Sequence, residues 1–486
     1  MIAAPVLISF VFALITLLLR RHSVGLRAVS LLGTALSLMI AVWILITVWE
    51  QGPQRMQIGN WPAPFGISFD VGMLGALMIA GSALVAFCGQ WAMQSLLGRR
   101  WEILGIYSLY HFLMMGVYGS FATGDLFNLY VWFEVLLAAS FFLVALSRHR
   151  TSATGSFKYA VISILSSVAF LFGISFVYAS VGSLDLSDII QQQQLHGQSL
   201  SMIMGLSFLV LAFLVKAAVF PFFFWLPASY PVTLTPVAAV FSGFLTKVGL
   251  YSLLRILSPV VAFGDSTKLL PVMYGLALAS MVLGVLGALS RDNMKGILAF
   301  HGTSQMGYIL LGLSLGGQAG IVACVFYLLH HMMVKTNLFL SVAYMEKVGG
   351  TSMVSESGGL WAARPWLAGL FAMSALSLIG VPPFSGFWAK VLTLQAALGE
   401  QRWAGVLLCL GVSLFTLMSM LKIWNGVFWK RAPRDLPEKD SARVRWLVVP
   451  LVILNISILA IGLGYPQVRL AAEKVAQELL PGKGAP

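Results

Sequence analysis

About fourteen stretches of roughly 20 residues, beginning near residues 2, 26, 70, 103, 126, 157, 203, 232, 269, 296, 319, 366, 404 and 445, are almost wholly apolar. A chain built this way has one compatible solvent. Inside a bilayer every backbone N–H and C=O must be satisfied by the chain itself, so only helices or closed barrels can cross. Runs of this length suit helices, since a crossing strand needs about half as many residues. The sequence therefore predicts an all-α polytopic membrane protein of about 14 transmembrane helices. Composition agrees: 59% of the 486 residues are hydrophobic, 10% are charged and the mean hydropathy is +0.90. A soluble fold could not hide so much apolar surface from water. The first run lacks a basic leading segment and a small-residue cleavage site, so it reads as a retained span rather than a signal peptide.

A net charge of +13 raises the question of nucleic acid, and its distribution answers it. Basic residues gather in alternate loops: Arg20, Arg21 and Arg27; Arg99 and Arg100; Arg148, Arg150 and Lys158; Arg291 and Lys295; Lys347 and Arg364; then Lys430, Arg431, Arg434, Lys439, Arg443 and Arg445. The intervening loops hold chiefly Arg55, Lys268 and Arg402. That is the positive-inside pattern of a membrane protein with both termini outside the cytoplasm, and it leaves no nucleic-acid surface to explain.

Two of the apolar stretches are interrupted where charge is most expensive. Lys216 and Lys247 lie inside runs of Leu, Val, Ala and Phe. At about 1.5 Å per residue, Lys216 falls roughly 18 Å into its span, near the middle of a ~30 Å hydrocarbon layer, where a lysine costs about 2.5–3.5 kcal/mol. Pro221 is expected to break that helix five residues beyond Lys216. A second break is expected at Pro382 and Pro383, upstream of Lys390, because Trp366–Leu398 is too long for one straight span. Irregular backbone at membrane depth is tolerated where it is buried or lines a wet cavity, and paired broken segments point to internal repeats around an ion path.

Other polar groups join these lysines. Glu134 sits among Val131, Phe133, Val135 and Leu136 at about mid-depth. Desolvation disfavours the charged form of either group, whereas pairing favours both charged forms. A Glu134–Lys216 contact that forms and breaks can therefore move a proton; a static bridge between helices is the alternative. His331 and Lys335 stand at i and i+4 and share a helix face, the spacing of a proton relay or of a satisfied core histidine beside a lysine. His330 points elsewhere and reads as structural. His301 is expected at a helix start, as a proton-uptake group or a helix-end polar residue. His111 reads as a core residue, Asp125 as a helix cap or equally an ion-entry group, and Arg255 and Lys422 as snorkelling side chains without a role. Cys88, Cys324 and Cys409 have unrelated spacing and read as buried small hydrophobes. No spacing suggests a metal site or a cofactor site.

No linker divides the chain, so residues 1–486 read as one membrane domain. Its parts are N-terminal helices over 1–100, a first repeat over 101–257, a second over 268–430, and a loop, last span and short amphipathic tail over 431–486. The polar stretch 182–201 is expected to carry one short amphipathic turn.

VKAAVFPFFFWLP followed by TPVAAVFSGFLTKVGLY, then HGTSQMGYILLG, HHMMVKTNLFL and LIGVPPFSGFWAK, resemble in order the motifs of the antiporter-like membrane subunits. That family is shared by respiratory complex I, membrane-bound hydrogenases and Mrp-type multisubunit cation/proton antiporters. The resemblance implies two inverted five-helix repeats with broken seventh and twelfth helices. It matches Glu134 to the fifth-helix glutamate, Lys216 and Lys247 to the seventh- and eighth-helix lysines, His331 and Lys335 to the eleventh-helix pair, and Lys390 to the ionisable residue of the twelfth helix. GDLFNLYVWFEVLLAAS and the short tail are most similar to the Mrp branch. The implied function is a subunit of a multisubunit monovalent cation/proton antiporter in a bacterial plasma membrane, moving protons and Na+ or K+ with other antiporter subunits. The alternative is a proton-pumping membrane subunit of a complex I-like NADH dehydrogenase or membrane-bound hydrogenase.

Overall fold

The computed structural model describes residues 1–61, 64–147, 150–196, 199–263, 269–433, 436 and 441–480. Arg148, Lys268, Arg434, Lys439 and the 481–486 terminus, all used in the charge and tail reading, lie outside the described residues.

The chain is a bundle of helices. It opens with α1 (Ala4–Leu18), α2 (Ser23–Gln51), α3 (Met73–Leu96), the short α4 (Arg99–Ile103) and α5 (Ile106–Ala122). Next come α6 (Leu126–Ala145), α7 (Arg150–Val181), α8 (Leu186–His196), α9 (Leu200–Lys216), the short α10 (Trp225–Ser229) and α11 (Thr235–Phe263). The second half holds α12 (Leu269–Leu289), α13 (Met294–Leu315), α14 (Gly317–Gly349), the short α15 (Leu360–Ala363), α16 (Pro365–Ile379), α17 (Ser385–Gly399) and α18 (Trp403–Trp424). A short α19 (Ala442–Arg445), α20 (Val448–Leu463) and a tail helix α21 (Tyr465–Leu479) close the chain.

Among the described residues, ten helices are long and apolar enough to cross a membrane. The other four expected spans fall on α5, on α13 and on the two broken segments α9–α10 and α16–α17, which are shorter or carry more polar groups. The polar stretch 182–201 forms an 11-residue helix, α8, longer than the single turn expected. Two strands were not expected at all. β1 (Gln54–Gln57) and β2 (Ser68–Val71) pair antiparallel, Gln54 opposite Val71, in the loop between α2 and α3. Arg55 and Ser68 both reach Asp185, at 2.7 and 2.6 Å, tying this hairpin to the loop before α8.

Burial ranks the helices. In α11 the whole apolar window is buried and in α14 83% of it, against 28% in α1. The two helices that carry Lys247, His331 and Lys335 are thus among the inner ones, together with α13, all of whose residues are buried. At one end of the bundle Arg27, Arg99 and Arg443, from three separate basic loops, converge on the wholly buried Glu102 at 2.6, 3.2 and 3.7 Å. That end is the basic end. At the other end α21 folds back against α14 and α3, and Glu478 accepts the Met73 N–H at the start of α3, at 2.8 Å.

Candidate functional site

Lys216 is the last residue of α9, so the first break begins at the lysine itself and not at Pro221. Ala218 takes φ +55°, a left-handed geometry that turns the chain out of the helix at about 1–3 kcal/mol for a non-glycine residue. Phe220 N–H then bonds Ser280 Oγ at 2.9 Å, and the Trp225 indole N–H caps the Val215 carbonyl at 3.0 Å. A cation at a helix C-terminus faces the negative end of the helix dipole, which compensates part of its burial.

Among the described residues no ion pair joins Lys216 to Glu134. Lys216 Nζ donates to the Ser163 carbonyl at 3.4 Å, while the Ser167 hydroxyl donates to Glu134 Oε1. Ser163 and Ser167 are one turn apart on α7, so one face of that helix holds both the ammonium and the carboxylate, each by itself. Lys216 borders a cavity of about 10 Å³ shared with Phe133, Tyr159, Ser163 and Trp225.

The middle of the bundle brings three expected residues together. Lys247, His331 and Lys335 line one cavity of about 10 Å³, with Ser242, Thr246 and Tyr230. Lys247 donates to the Ser242 carbonyl and Lys335 to the Leu298 carbonyl; Lys335 also lies 5.2 Å from the Phe339 ring. Neither ring nitrogen of His331 has a protein partner among the described residues, nor has the Tyr230 hydroxyl. His301 is fully buried, its Nε2 2.6 Å from Ser419 Oγ, with Lys335 and Lys390 as electrostatic neighbours. It is an interior group about two turns into α13 and not a helix-end residue.

The second break repeats the logic of the first. α16 ends at Ile379, Gly380 turns the chain at φ +99°, and Pro382 and Pro383 separate it from α17. Lys390 reaches back across the gap: Nζ donates to the Ile379 carbonyl at 2.6 Å and to Ser413 Oγ at 2.9 Å, 5.3 Å from the Tyr308 ring. His330, expected to point away from His331 as a structural residue, meets this break. It is wholly buried, with Nδ1 2.8 Å from Ser385 Oγ at the first residue of α17. His330 and His331, adjacent in sequence, thus face two different lysine compartments.

A large cavity of about 690 Å³ opens at the basic end, lined by residues 231–236, Asn293, Lys295, Ala343, Glu346 and Ser352. In its wall Lys295 Nζ lies 3.3 Å from Glu346 Oε1, and Thr235 donates to the other carboxylate oxygen. Glu346 was overlooked in the sequence because it falls near a helix end, where an acid is unremarkable.

Other expectations resolve locally. Asp125 is the N-cap of α6, accepting the Asn128 N–H at 2.7 Å. His111 is buried beside Ser30 Oγ at 3.0 Å. Arg255 does not snorkel: it pairs with Asp70 at 3.1 Å and donates to Tyr251 OH at 2.7 Å, held in by partners a lone arginine would lack. Lys422 is half-buried near the end of α18 and reaches the carbonyls of Leu289 and Arg291 at the end of α12, as a side chain that seeks the span end would.

Residues 123–416 match the family described as NADH:quinone oxidoreductase/Mrp antiporter, transmembrane. The chain is 34% identical over 484 residues to the D subunit of the Na(+)/H(+) antiporter of Alkalihalophilus pseudofirmus, covering 99% of this chain and 97% of that protein. It is similar in structure to a chain of the Mrp complex from Dietzia sp. DQ12-45-1b, with TM-score 0.89, 28% identity and coverage of 99% and 98%. It is also similar to a chain of the membrane-bound sulfane sulfur reductase, an archaeal respiratory membrane complex, with TM-score 0.91, 26% identity and coverage of 99% and 97%.

Proposed function

The chain belongs to the NADH:quinone oxidoreductase/Mrp antiporter family of membrane subunits, and from that premise we propose that it is the D-type subunit of a multisubunit monovalent cation/proton antiporter. It works with the other antiporter subunits in a bacterial plasma membrane, exchanging protons for Na+ or K+, as a transporter component and not a catalytic enzyme. The basic end faces the cytoplasm and both termini lie on the opposite side. Residues 101–257 and 268–430 act as two inverted halves.

One observation carries the reading. Lys216, Lys247, Lys335 and Lys390 are all buried, and among the described residues each finds carbonyl or hydroxyl oxygens but no carboxylate within ion-pair distance. Burying an unpaired ammonium costs several kcal/mol. A lysine in such a site sheds that cost whenever it passes its proton on, which suits transfer far better than bracing. Glu134 and Lys216 form one proton-exchanging pair, Lys247, His331 and Lys335 a central store, and Lys390 the far group. His301 links the last two.

Everted membrane vesicles containing the whole complex test this. Adding Na+ or K+ after a proton gradient is established should release protons, while vesicles with this chain alone should show little exchange. Robust exchange by the isolated chain would overturn the partner requirement. The likeness to the sulfane sulfur reductase chain supports a second reading, a proton-pumping subunit of a redox complex. Copurification decides: small antiporter subunits support the first reading, peripheral iron–sulfur or flavin subunits the second.

A further inference from the structure

The 690 Å³ cavity at the basic end and the 10 Å³ cavity around Lys247 are lined by successive turns of the same three helices. On α11, Thr235 borders the large cavity while Ser242 and Thr246 border the small one, all at helical spacing on one face. On α14, Glu346 and Ala343 border the large cavity and Phe339 and Lys335 the small one, again one face. On α13, Lys295 borders the first and Ala299 and Gly302 the second. Three helices therefore lead from the basic end to the buried lysines. In the lining of the small cavity, beside Pro231 and one turn from Ala343 of the large one, the rings of Tyr230 and Phe339 meet edge to face, 6.1 Å between centroids.

We propose that Glu346 is the proton-exchange group at the basic end, held ready by Lys295 and Thr235, and that Tyr230 and Phe339 form the plug it works against. The inference rests on the antiporter reading and names where its protons meet water. In the exchange, a hydronium ion in the large cavity gives a proton to the Glu346 carboxylate. The carboxyl group formed no longer binds Lys295 as an ion, and the pair loosens. When the Tyr230–Phe339 contact opens, water entering from the large cavity carries the proton on to a neutral amine of the Lys247–Lys335 pair, about 16 Å along α14 from Glu346. The carboxylate is restored and returns to Lys295, with no net charge left at the gate. Run backwards, the same steps release a proton to the basic end.

A carboxylate in a helix wall with a lysine beside it is also the make-up of an ordinary structural bridge. Its placement argues against that use here. The Glu346 side chain is 32% exposed in the cavity while Lys295 is 10% exposed, so the acid and not the base faces water. The other charged group of the cavity wall is Lys347, next to Glu346 on α14; Asn293, Ser352 and Thr235 are its polar neighbours from the other elements.

The test uses the whole complex in vesicles. Glu346→Gln keeps an oxygen for Thr235 but cannot carry a proton, and should lower exchange turnover at least tenfold while leaving the cation KM and complex abundance unchanged. Glu346→Asp should recover a substantial part of the turnover with an altered pH profile, which a purely structural bridge would not give. Separately, Ala343→Cys should react with an impermeant maleimide from the basic end only; the three native cysteines are all buried. Wild-type turnover and pH profile in Glu346→Gln would overturn the gate, as would failure of Ala343→Cys to label from the basic end. If the wild-type complex itself shows no cation-dependent proton movement, the antiporter reading falls and the gate with it. A working wild type with an equally working Glu346→Gln removes the gate alone.

Discussion

Lys390 Nζ lies 2.6 Å from the carbonyl oxygen of Ile379, the last residue of the half-helix before the second break. Lys216 is itself the last residue of the half-helix before the first break. Each half of the chain thus sets one lysine against the negative end of an interrupted helix. The two reach that position by different routes, one by residing there and one by reaching back across the gap. In both cases the backbone, and not a carboxylate, holds the ammonium. A carbonyl accepts a hydrogen bond from an ammonium but leaves its charge uncancelled, so the proton stays exchangeable.

Lys390→Ala should therefore abolish exchange, by more than tenfold, while complex assembly survives. The half-helices also hold together through Ser385, Ser377 and His330 without the lysine. The measurement is cation-dependent proton release in vesicles, with immunoblots for subunit levels. Normal exchange would return Lys390 to a structural role.

Gly386 fixes how closely the two half-helices approach. A Cβ there would sit 1.7 Å from the Ser377 carbonyl oxygen and 2.8 Å from His330 Cε1. Backbone oxygen cannot step aside as a flexible side chain can. Gly386→Ala should thus destabilise by about 3 kcal/mol and reduce assembled complex, read as thermal stability of the detergent-solubilised complex. Unchanged stability would mean that the break opens freely.

Much of this was legible in the sequence, and the limits were physical. Hydropathy and the lone lysines located the helices and the charged groups, because the cost of burial is a property of each residue. The first break was placed five residues late, since proline marks where a helix cannot continue and not where it stops; the stop came from Ala218 in a left-handed geometry that sequence does not announce. Ser163 and Ser167 were passed over, although serines one turn apart in an apolar helix are a readable signal. The angle between His330 and His331 was readable from their adjacency, but not that His330 meets Ser385, 55 positions away. The pairing of Arg255 with Asp70, some 185 positions away, needed the tertiary fold.

The tail helix offers a pH test outside the membrane. Burial raises the Glu478 carboxyl above its usual 4.5; Asp70 pushes it the same way, and the Met73 N–H, Arg255 and Lys474 oppose the shift. A carboxyl raised on folding stabilises the docked state below its unfolded value, and that contribution is lost as pH rises through the folded value. Docking of α21 should therefore loosen from about pH 4.5 upward, read as falling hydrogen-exchange protection over Tyr465–Leu479 after correction for the intrinsic rate. Glu478→Gln keeps the acceptor oxygen and should flatten that dependence. An equal pH dependence in the variant would assign the effect to another group.

The separation of Glu134 from Lys216 decides between a brace and a switch. In this structure Ser167 holds the carboxylate and the Ser163 carbonyl holds the ammonium, so the pair is apart. A brace needs the two in contact, and its replacement by packed neutral residues costs little. A switch needs each charge by itself. Glu134→Gln/Lys216→Gln should assemble normally, since Gln can still meet Ser167 on one side and the Ser163 carbonyl on the other, yet exchange should fall at least tenfold. Lys216→Arg should fail as well, because guanidinium keeps its proton at any working pH. Glu134→Asp keeps the charge but shortens its reach, so partial exchange with an altered pH optimum is expected. Proton release against pH in vesicles, at matched complex levels, reads all three. Near-normal exchange in the double variant would sink the switch, and the serine ladder of α7 would then be packing and nothing more.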